Sequence, residues 1–297
     1  MKNKILLIDG HNLAHRARHR FVKFSNQEGL SSSVAYGGPF IVSSLVRRFP
    51  NTKTYIIFDG GRAKERMELL PGYKDRDGHD VDDRFEQQLD DFQKIMENLN
   101  VRTVRKVGEE ADDYIYGLCR LHKRTHKTIV SSDKDFIPLL DEYTKIFNPF
   151  KDKIISTINC KDVYGFSHNE FLDYLILKGD KSDGIPGVQG LGDKRIRQFL
   201  DEYGSVDGFF EILDIGGKAG QWDKYEDDIW EANELNTELI SLRYFWNKHR
   251  KGQAIPVTCR GFNLNIVKAI AHRYNIKAFH EEKFLKPFRG LEGVCTD

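Results

Sequence analysis

The sequence predicts an α/β fold with a mostly parallel central sheet flanked by helices, followed by a helical C-terminal region. Short apolar runs without polar alternation are typical of strands buried on both faces of a parallel sheet. Such runs occupy residues 4–8, 54–58, 127–130 and 145–147. Helix-length segments lie between the runs, at residues 34–49, 82–98 and 111–123. This alternation of strand and helix indicates βαβ units.

The pattern changes in the second half of the chain. From His168 onward the apolar residues follow mostly helical spacing, and glycine-rich turns interrupt them at residues 184–192 and 216–220. We therefore expect an α/β core over residues 1–160 and a helical region over residues 161–297.

The composition argues against a membrane protein and says little else. The chain carries 46 Lys and Arg against 45 Asp and Glu, and its net charge of +1 does not by itself indicate a nucleic-acid partner. No stretch approaches the ~20 apolar residues that a membrane-spanning helix needs. The apolar run after Met1 is shorter than the core of a signal peptide. We expect a monomeric protein of the cytoplasm.

Acidic residues follow three of the predicted strands. Asp9, Asp59 and Asp133 each come at the end of an apolar run. In α/β sheets ligands bind beyond the carboxyl ends of the strands, so these three side chains should converge. Further acids follow in the sequence: Glu110, Asp112, Asp113, Asp135, Asp180 and Asp183. The three acids at 110–113 have a plainer alternative as the start of a helix, where negative charge is favourable.

So many carboxylates can share a site only when cations neutralise them, because like charges raise each other's pKa and oppose folding. Mg²⁺ and Mn²⁺ prefer oxygen ligands. Two such ions about 3.5–4 Å apart stabilise the attacking and leaving oxygens of a phosphoryl displacement. The acids therefore predict hydrolysis of a phosphate ester with two divalent cations, Mg²⁺ or Mn²⁺.

Taken in order with their neighbours, these acids resemble the motifs of the 5′-nuclease superfamily. That superfamily includes flap endonucleases, the 5′-nuclease domains of bacterial DNA polymerases and phage RNase H enzymes. The matching motifs lie between residue 5 and about residue 200: Ile8-Asp9-Gly10-His11-Asn12, Phe58-Asp59-Gly60, Arg66, Tyr73-Lys74, Glu110-Ala111-Asp112-Asp113, Ser132-Asp133-Lys134-Asp135, Lys178-Gly179-Asp180-Lys181-Ser182-Asp183 and residues 185–194.

The resemblance implies a role for each matching residue. The first metal site would comprise Asp9, Asp59, Glu110 and Asp112, with Asp113 acting through water. The acids that reach toward both ions would be Asp133 and Asp135. The outer ligands of the second ion would be Asp180 and Asp183. The residues at the scissile phosphate would be the basic Lys74 and Arg66, and Asp135 completes the predicted catalytic set.

The glycine-rich segment 187–194 resembles the helix–three-turn–helix with which the family grips duplex substrate, here expected within residues 178–200. Glycines let backbone N–H groups approach phosphate, and a following helix N-terminus favours anions. The expected nucleic-acid contacts are Gly187, Gly190, Gly192, Lys194 and Arg195, together with Tyr73 and with Arg16 from a basic patch that includes Arg18, Arg20 and Lys23. The resemblance also suggests a monovalent cation, K⁺, in this loop.

The family builds an arch over its active site, expected here near residues 72–100 within the α/β core. That segment is acidic, with Asp75, Asp77, Asp80, Asp82, Asp83, Glu86, Asp90 and Asp91. Many relatives have a more basic arch that guides a single strand. A solvated outer face is therefore the alternative for these acids.

The resemblance predicts a structure-specific 5′-nuclease, either a 5′–3′ exonuclease or a flap endonuclease. Its substrates would be branched or 5′-ended DNA and RNA–DNA hybrids, cleaved during primer or flap removal in replication. The size of the chain and the lack of an attached polymerase suggest a bacteriophage source. A replication clamp or single-strand-binding protein could bind phenylalanines of a terminal helix over residues 279–288, although phenylalanines at helical spacing are usually core.

Two alternatives remain at this point. One is a non-catalytic DNA-binding scaffold, although every matching acidic position is filled. The other is a PIN-like ribonuclease of single strands, a fold that usually lacks the pair Asp180 and Asp183 and the glycine-rich hairpin after it.

Overall fold

A seven-stranded sheet organises the α/β part of the molecule. The computed structural model describes residues 4–24, 31–75 and 83–291. The strands are β1 Lys4–Asp9, β2 Thr52–Ile57, β3 Arg102–Val104, β4 Lys127–Val130, β5 Thr144–Asn148, β6 Lys153–Ile155 and β7 Val257–Thr258. Their order is β6-β5-β4-β1-β2-β3-β7, with five parallel central strands and antiparallel edges at β6 and β7. The predicted mostly parallel sheet is confirmed.

Helices cover both faces of the sheet and form the second half of the chain. They are α1 Gly10–Arg20, α2 Ser33–Arg48, α3 Lys64–Leu69, α4 Asp83–Glu97, α5 Ala111–Leu121, α6 Cys160–Tyr164, α7 Phe171–Lys178, α8 Asp193–Tyr203, α9 Val206–Asp214, α10 Glu226–Ile240, α11 Leu242–Phe245, α12 Leu264–Arg273 and α13 Glu282–Arg289. A π-helical turn, Trp246–Arg250, continues α11. In the described part of the chain, no helix has the length and apolar character needed to cross a bilayer.

The central strands are buried on both faces, as their unbroken apolar runs predict. Successive side chains of a strand point to opposite faces. In β1, Ile5 and Leu7 join the core beneath α5 and the helices α7 to α10, here called the first face. Leu6 and Ile8 join the core beneath α1, α2, α4, α12 and α13, here called the second face. Helices α7 to α10 therefore pack on one side of the sheet only.

A buried asparagine fastens the helical region together. Asn236 of α10 is fully buried. Its Nδ2 donates to the carbonyl oxygen of Ile176 at 2.8 Å and to that of Pro186 at 2.7 Å. A buried carbonyl group without a hydrogen bond would cost free energy, and Asn236 supplies the hydrogen bonds for both of these carbonyl groups. Asn236 therefore holds the loop after α7 against α10.

The helical region does not extend to the end of the described chain. Strand β7 returns to the sheet and pairs with β3, where Thr258 lies opposite Thr103. Helices α12 and α13 then pack on the second face against α4 and α2. The expected helical domain over 161–297 is therefore wrong for residues 257–291, because their apolar side chains complete the core of the sheet.

The terminal phenylalanines belong to that core. Phe279, Phe284 and Phe288 are at most 2% exposed and stack against one another and against Phe40 of α2. They are therefore not available to bind a replication clamp or another partner.

The expected arch over residues 72–100 is only partly described, because residues 76–82 lie outside the described residues. Helix α4 is not an arch. Its apolar side chains, Leu89, Phe92, Ile95 and Met96, are fully enclosed in the core of the second face. Its acid Asp91 is bound within the protein, since it accepts from Arg273 at 2.7 Å and from the hydroxyl of Tyr274 at 2.8 Å, and the more exposed Glu86 and Asp90 pair with Arg105. The acids of α4 that pair in this way do not form a free solvated face.

A buried arginine joins the core to the helical region. Arg66 of α3 is 1% exposed. Its Nη1 and Nη2 donate to the two carboxylate oxygens of Asp113 at 2.9 and 2.8 Å, and its Nε donates to the carbonyl oxygen of Leu239 at 3.0 Å. The guanidinium lies 3.7 Å from the ring centroid of Phe245. Although burial lowers the pKa of Arg66, the charges of Asp113 and Glu110 raise it above its usual range.

Two predicted roles are therefore wrong. Arg66 cannot contact a scissile phosphate, because protein encloses its guanidinium on all sides. Asp113 does not reach a metal through water, because it is fully buried and both of its oxygens accept from Arg66.

The pair can be tested by its effect on stability. Arg66→Met should lower the free energy of unfolding by about 3–5 kcal/mol, because it leaves the Asp113 carboxylate buried without a partner. Urea denaturation would measure this loss. Adding Asp113→Leu should recover most of it, since an apolar pair replaces the ionic one. Unchanged stability of Arg66→Met with loss of cleavage would instead place Arg66 against the substrate.

The packing of the C-terminal helices can be tested separately. Phe288→Ala should cost about 3–5 kcal/mol of unfolding free energy, because it opens a cavity in the core of the second face. The control is Ile266→Ala on α12, where the side chain is 43% exposed and the expected change is within about 0.5 kcal/mol. Equal stabilities of the two variants in urea denaturation would contradict the placement of α13.

Candidate metal and nucleic-acid site

Asp9 ends the central strand and lies between the carboxyl ends of β4 and β2. Its Oδ1 accepts the N–H of Asn12 at 3.0 Å and so caps α1, and its Oδ2 accepts the hydroxyl of Ser131 at 2.8 Å. Burial, followed by repulsion from Asp59, raises the pKa of Asp9 to about 7. The surroundings of Asp9 thus disfavour its negative charge, and two hydrogen bonds hold the carboxylate in place.

Asp59 follows β2 and connects the end of that strand to α5. Its Oδ1 accepts the N–H of Ala111 at 2.7 Å. Its own N–H donates to Nδ1 of His11 at 3.0 Å, and the same ring nitrogen lies 3.4 Å from Oδ2 of Asp59. Asp59 is therefore oriented from both sides, by the start of α5 and by the start of α1.

A tight turn after β4 carries the next two acids. The Oγ of Ser131 accepts the N–H of Asp133 at 3.1 Å, and Oδ1 of Asp133 accepts the N–H of Asp135 at 3.0 Å. Burial, with repulsion from Asp133 and Asp180, raises the pKa of Asp135 well above its usual value.

Helix α5 adds Asp112 to the same place. Burial, with repulsion chiefly from Asp133 and then from Asp9 and Asp59, raises the pKa of Asp112 well above its usual value. We call Asp9, Asp59, Asp112, Asp133 and Asp135 the acidic centre. Three strand ends and one helix start bring these five predicted residues together, as the parallel sheet requires.

Glu110 lies beside the acidic centre and is 3% exposed. Its Oε1 accepts the N–H of Ala63 at 3.0 Å, and its Oε2 accepts the hydroxyl of Tyr73 at 3.0 Å and the ammonium of Lys74 at 2.5 Å. Burial raises the pKa of Glu110, but the charges of Lys74 and Arg66 outweigh burial and bring it to about 2. Tyr73 is 3% exposed, so its predicted contact with nucleic acid is wrong.

The loop after α7 brings Asp180 and Asp183 to the same edge. The backbone N–H of Lys74 donates to the carbonyl oxygen of Asp183 at 2.9 Å, and Nζ of Lys74 lies 3.8 Å from Oδ2 of Asp183. Oδ1 of Asp180 accepts both the N–H and the hydroxyl of Ser182 at 2.7 Å. Lys74 thus lies between the acidic centre and the helical region.

The donor chemistry of this edge fits hard divalent cations, because nearly every candidate ligand is a carboxylate oxygen. Repulsion among these closely spaced acids gives a physical reason for positive charge to bind there. Within residues 4–24, 31–75 and 83–291, no three acidic, histidine or cysteine side chains converge tightly enough to enclose an ion by themselves. Such a set suits Mg²⁺, which usually keeps several waters and takes one or two carboxylates plus substrate phosphate.

The glycine-rich turn owes its shape to close backbone packing. A Cβ at Gly187 would lie 2.1 Å from the carbonyl oxygen of Lys178, so no larger residue fits there. Gly190 adopts a positive φ of 85°, a backbone conformation that residues with a Cβ atom rarely adopt. Gly192 precedes α8 as its N-cap and is exposed.

Two of the predicted basic residues differ in what they contact. Lys194 is exposed on the first turn of α8. Arg195 is exposed too, but its Nη1 donates to the carbonyl oxygen of Gly190 at 3.2 Å and to the hydroxyl of Tyr225, so it also stabilises the turn. Arg16 lies apart from this turn, on α1 at the second face of the sheet.

Sequence reasoning missed the polar residues that hold the acids. Asn12 donates from Nδ2 to Oγ of Ser132 at 2.7 Å, and Ser131 bonds both Asp9 and Asp133. The serines directly after the buried strand β4, and Asn12 three residues after the end of β1, were the available signal. Nothing in the local sequence marks Asn236, which acts across 50 residues or more.

Two family models match the chain. The model described as "5′-3′ exonuclease, N-terminal resolvase-like domain" matches residues 4–165, and "5′-3′ exonuclease, C-terminal SAM fold" matches residues 166–246. The division between them falls close to the boundary expected after residue 160.

Curated relatives agree with the family models. DNA polymerase I of Streptococcus pneumoniae is 32% identical over 228 residues, which cover 72% of this chain and 25% of that protein. The 5′-3′ exonuclease of Buchnera aphidicola is 28% identical over 215 residues, covering 71% of this chain and 75% of that protein. The chain thus spans a quarter of the length of the polymerase that it matches.

Solved structures share the fold. The D15 protein of bacteriophage T5, co-crystallised with metal ions, aligns with a TM-score of 0.69 at 22% identity, over 97% of this chain and 99% of that one. The catalytic core of Rad2 in complex with DNA substrate aligns with a TM-score of 0.57 at 16% identity, over 97% and 92%. The predicted resemblance, fold class and enzyme class are confirmed. The chain belongs to the 5′-3′ exonuclease family of the 5′-nuclease superfamily and is a nuclease.

Proposed function

We propose that this chain is a structure-specific 5′-nuclease that hydrolyses phosphodiester bonds at 5′ ends or branch points with two divalent cations, Mg²⁺ or Mn²⁺. The observation that carries the proposal is the acidic centre, in which five carboxylates from β1, β2, β4 and α5 share one edge of the sheet. Burial together with mutual repulsion raises the pKa of Asp9, Asp112 and Asp135. Perturbed carboxylates of this kind cluster at functional sites.

The ions would be held by the acidic centre, with Glu110 beside it and Asp180 and Asp183 as outer ligands. When bound, they would neutralise charge on the reacting phosphate and activate water as the nucleophile. Asp9 and Asp59 are preorganised for this role, since backbone N–H groups of Asn12 and Ala111 already orient them.

Lys74 is the basic residue that remains for the scissile phosphate. It lies at the edge of the acidic centre, paired with Glu110 at 2.5 Å and 3.8 Å from Asp183, and its side chain is 24% exposed. The ammonium of Lys74 could therefore contact a bound phosphate while it stays close to Glu110 and Asp183. Burial lowers the pKa of Lys74, but Glu110 and other neighbours raise it well above its usual value, so the ammonium stays charged.

The duplex part of the substrate would bind at the turn around Gly187, Gly190 and Gly192 and at Lys194 and Arg195. Exposed amides next to a helix N-terminus favour phosphate. A K⁺ ion in this loop is part of the same proposal. The strand to be cleaved would unpair at its end, because a phosphate inside a duplex cannot reach a recessed site.

The substrates proposed are branched or 5′-ended DNA and RNA–DNA hybrids, with primer or flap removal as the role. Support comes from solved relatives, since the T5 flap endonuclease is described in complex with DNA and metal ions, and the Rad2 core in complex with DNA substrate. A clamp or a single-strand-binding protein remains a proposed partner, bound through a surface other than the buried phenylalanines of α13.

The decisive experiment is cleavage of 5′-labelled flap, nicked-duplex and RNA–DNA substrates with Mg²⁺, with Mn²⁺ and with EDTA. Short 5′ products that require metal are expected, and the preferred substrate separates flap processing from primer removal. Tight binding without cleavage in either metal would favour the scaffold alternative. Cleavage confined to single-stranded RNA would favour the PIN-like one.

The acids can be tested one at a time. Asp135→Asn and Asp180→Asn should each reduce single-turnover cleavage by about 10- to 100-fold or more, because each removes a charge that holds the metals. Duplex binding, measured by fluorescence anisotropy in Ca²⁺, should change little. Asp214→Asn is the control, since its side chain is exposed at the end of α9, a helix that contributes no residue to the acidic centre. Full activity in both test variants would overturn the site assignment.

The duplex-binding turn makes a different prediction. Lys194→Ala should weaken duplex binding and reduce the slope of log K against log salt by about 1, because one phosphate contact is lost. Lys268→Ala, an exposed lysine on α12 at the second face, makes the same change of charge as a control. Identical salt slopes for the two variants would remove Lys194 from the interface.

A further inference from the structure

A basic concavity lies on the second face of the sheet, away from the acidic centre. Its volume is about 270 Å³. Four arginines line it, Arg16 and Arg20 from α1 and Arg47 and Arg48 from α2, and we call it the arginine pocket. Aromatic side chains, including Phe147, complete its walls.

The positive charge of the arginine pocket is only partly balanced. Asp152 is the one acid among the lining residues, and it pairs with Arg48. The guanidinium of Arg48 also lies 4.3 Å from the ring centroid of Phe147, which holds it in place. Four arginines therefore line a pocket that contains one carboxylate, and that carboxylate pairs with Arg48.

Arg16 shows the consequence of this imbalance. Its Nη1 is enclosed by protein and has no hydrogen-bond acceptor among the described residues. Burial, followed by the positive charge of Arg20, lowers the pKa of Arg16, and the negative charge of Asp152 offsets this only in part. An anion in the pocket would relieve this repulsion and bring oxygen acceptors to a group that lacks them.

Helix α1 connects the pocket to the acidic centre. The helix begins at Gly10, directly after Asp9, and Arg16 follows about two turns later, roughly 10 Å along the axis. The turn that is proposed to bind duplex packs instead on the first face, through Val188 and Leu191. The two basic surfaces therefore lie on opposite faces of the sheet, whose carboxyl edge carries the acidic centre.

We propose that the arginine pocket binds a phosphate group of a nucleic-acid strand and anchors the substrate on the far side of the acidic centre. The planar guanidinium fork matches phosphate oxygens, and several arginines in one concavity are typical of phosphate recognition. The inference rests on the proposed nuclease function, since it concerns the strand that the acidic centre would cleave.

The test uses the double variant Arg20→Gln/Arg47→Gln, which removes two charges at the exposed rim of the pocket. The matched control is Lys283→Gln/Lys286→Gln, which removes two exposed charges from α13. Binding of flap DNA is measured by fluorescence anisotropy in EDTA over a series of salt concentrations, so that cleavage does not interfere. A circular dichroism melt of both variants checks that they fold alike.

The pocket variant should bind about tenfold more weakly than the control, as expected for lost charged hydrogen bonds. Its slope of log K against log salt should be smaller by about 1 to 2, since phosphate contacts are lost. Equal affinities and equal slopes for the two double variants would overturn the proposal. Substrates with a 5′-hydroxyl and with a 5′-phosphate show which phosphate the pocket binds. If the pocket variant loses affinity only for the 5′-phosphorylated substrate, the pocket binds the terminal phosphate. If it loses affinity equally for both substrates, the pocket binds a phosphate of the backbone.

This outcome is separable from that of the proposed function. Failure of the unmodified protein to cleave any substrate with Mg²⁺ or Mn²⁺ would remove the nuclease proposal. Equal binding by the two double variants, with cleavage intact in the unmodified protein, would remove the arginine pocket alone.

Discussion

The arrangement of the helices around the sheet depends on the ion pair between the buried guanidinium of Arg66 and Asp113. The guanidinium links α3 to α5 through Asp113 and to the helical region through the carbonyl of Leu239 and the ring of Phe245. Removing a charge from water is costly, and only a bidentate geometry with every donor satisfied offsets that cost. The orientation of α5 follows from this pair. The first turn of α5, in turn, brings Asp112 to the acidic centre.

The acidic centre shows the opposite use of charge. Arg66 and Asp113 neutralise each other, whereas the buried Asp9 and the half-buried Asp112 and Asp135 lie among other carboxylates and have raised pKa values. Such a cluster destabilises the fold, and the hydrogen bonds from small polar groups around it limit the loss. Local conflict of this kind is expected at functional sites, where a sequence gives up stability for chemistry. One acid of each kind thus lies in the first turn of α5, Asp113 paired with Arg66 and Asp112 in the acidic centre.

The sheet also determines how a substrate can be held. The glycine-rich turn before α8 packs on the first face, and the arginine pocket lies on the second, so the carboxyl edge of the sheet runs between them. A strand bound at both surfaces would pass over that edge and therefore over the acidic centre. The two proposed phosphate-binding surfaces are local groups of basic residues on the two faces of the sheet, and such groups are compatible with a net charge of only +1 for the whole chain.

The sequence by itself determined the parallel sheet and the convergence of Asp9, Asp59 and Asp133, because a buried strand shows an unbroken apolar run and parallel strands end at one edge. The sequence could not show that Asp112 belongs to the acidic centre whereas Asp113 pairs with Arg66. The neighbours of two adjacent helix residues are known only once the helix is packed. Nor could the sequence show that Arg66 is enclosed or that residues 257–291 return to the sheet, because both depend on contacts between segments far apart in the chain. Tertiary structure decided which of several equivalent charges are paired and which are left for a substrate, because pairing depends on distance in space rather than on order along the chain.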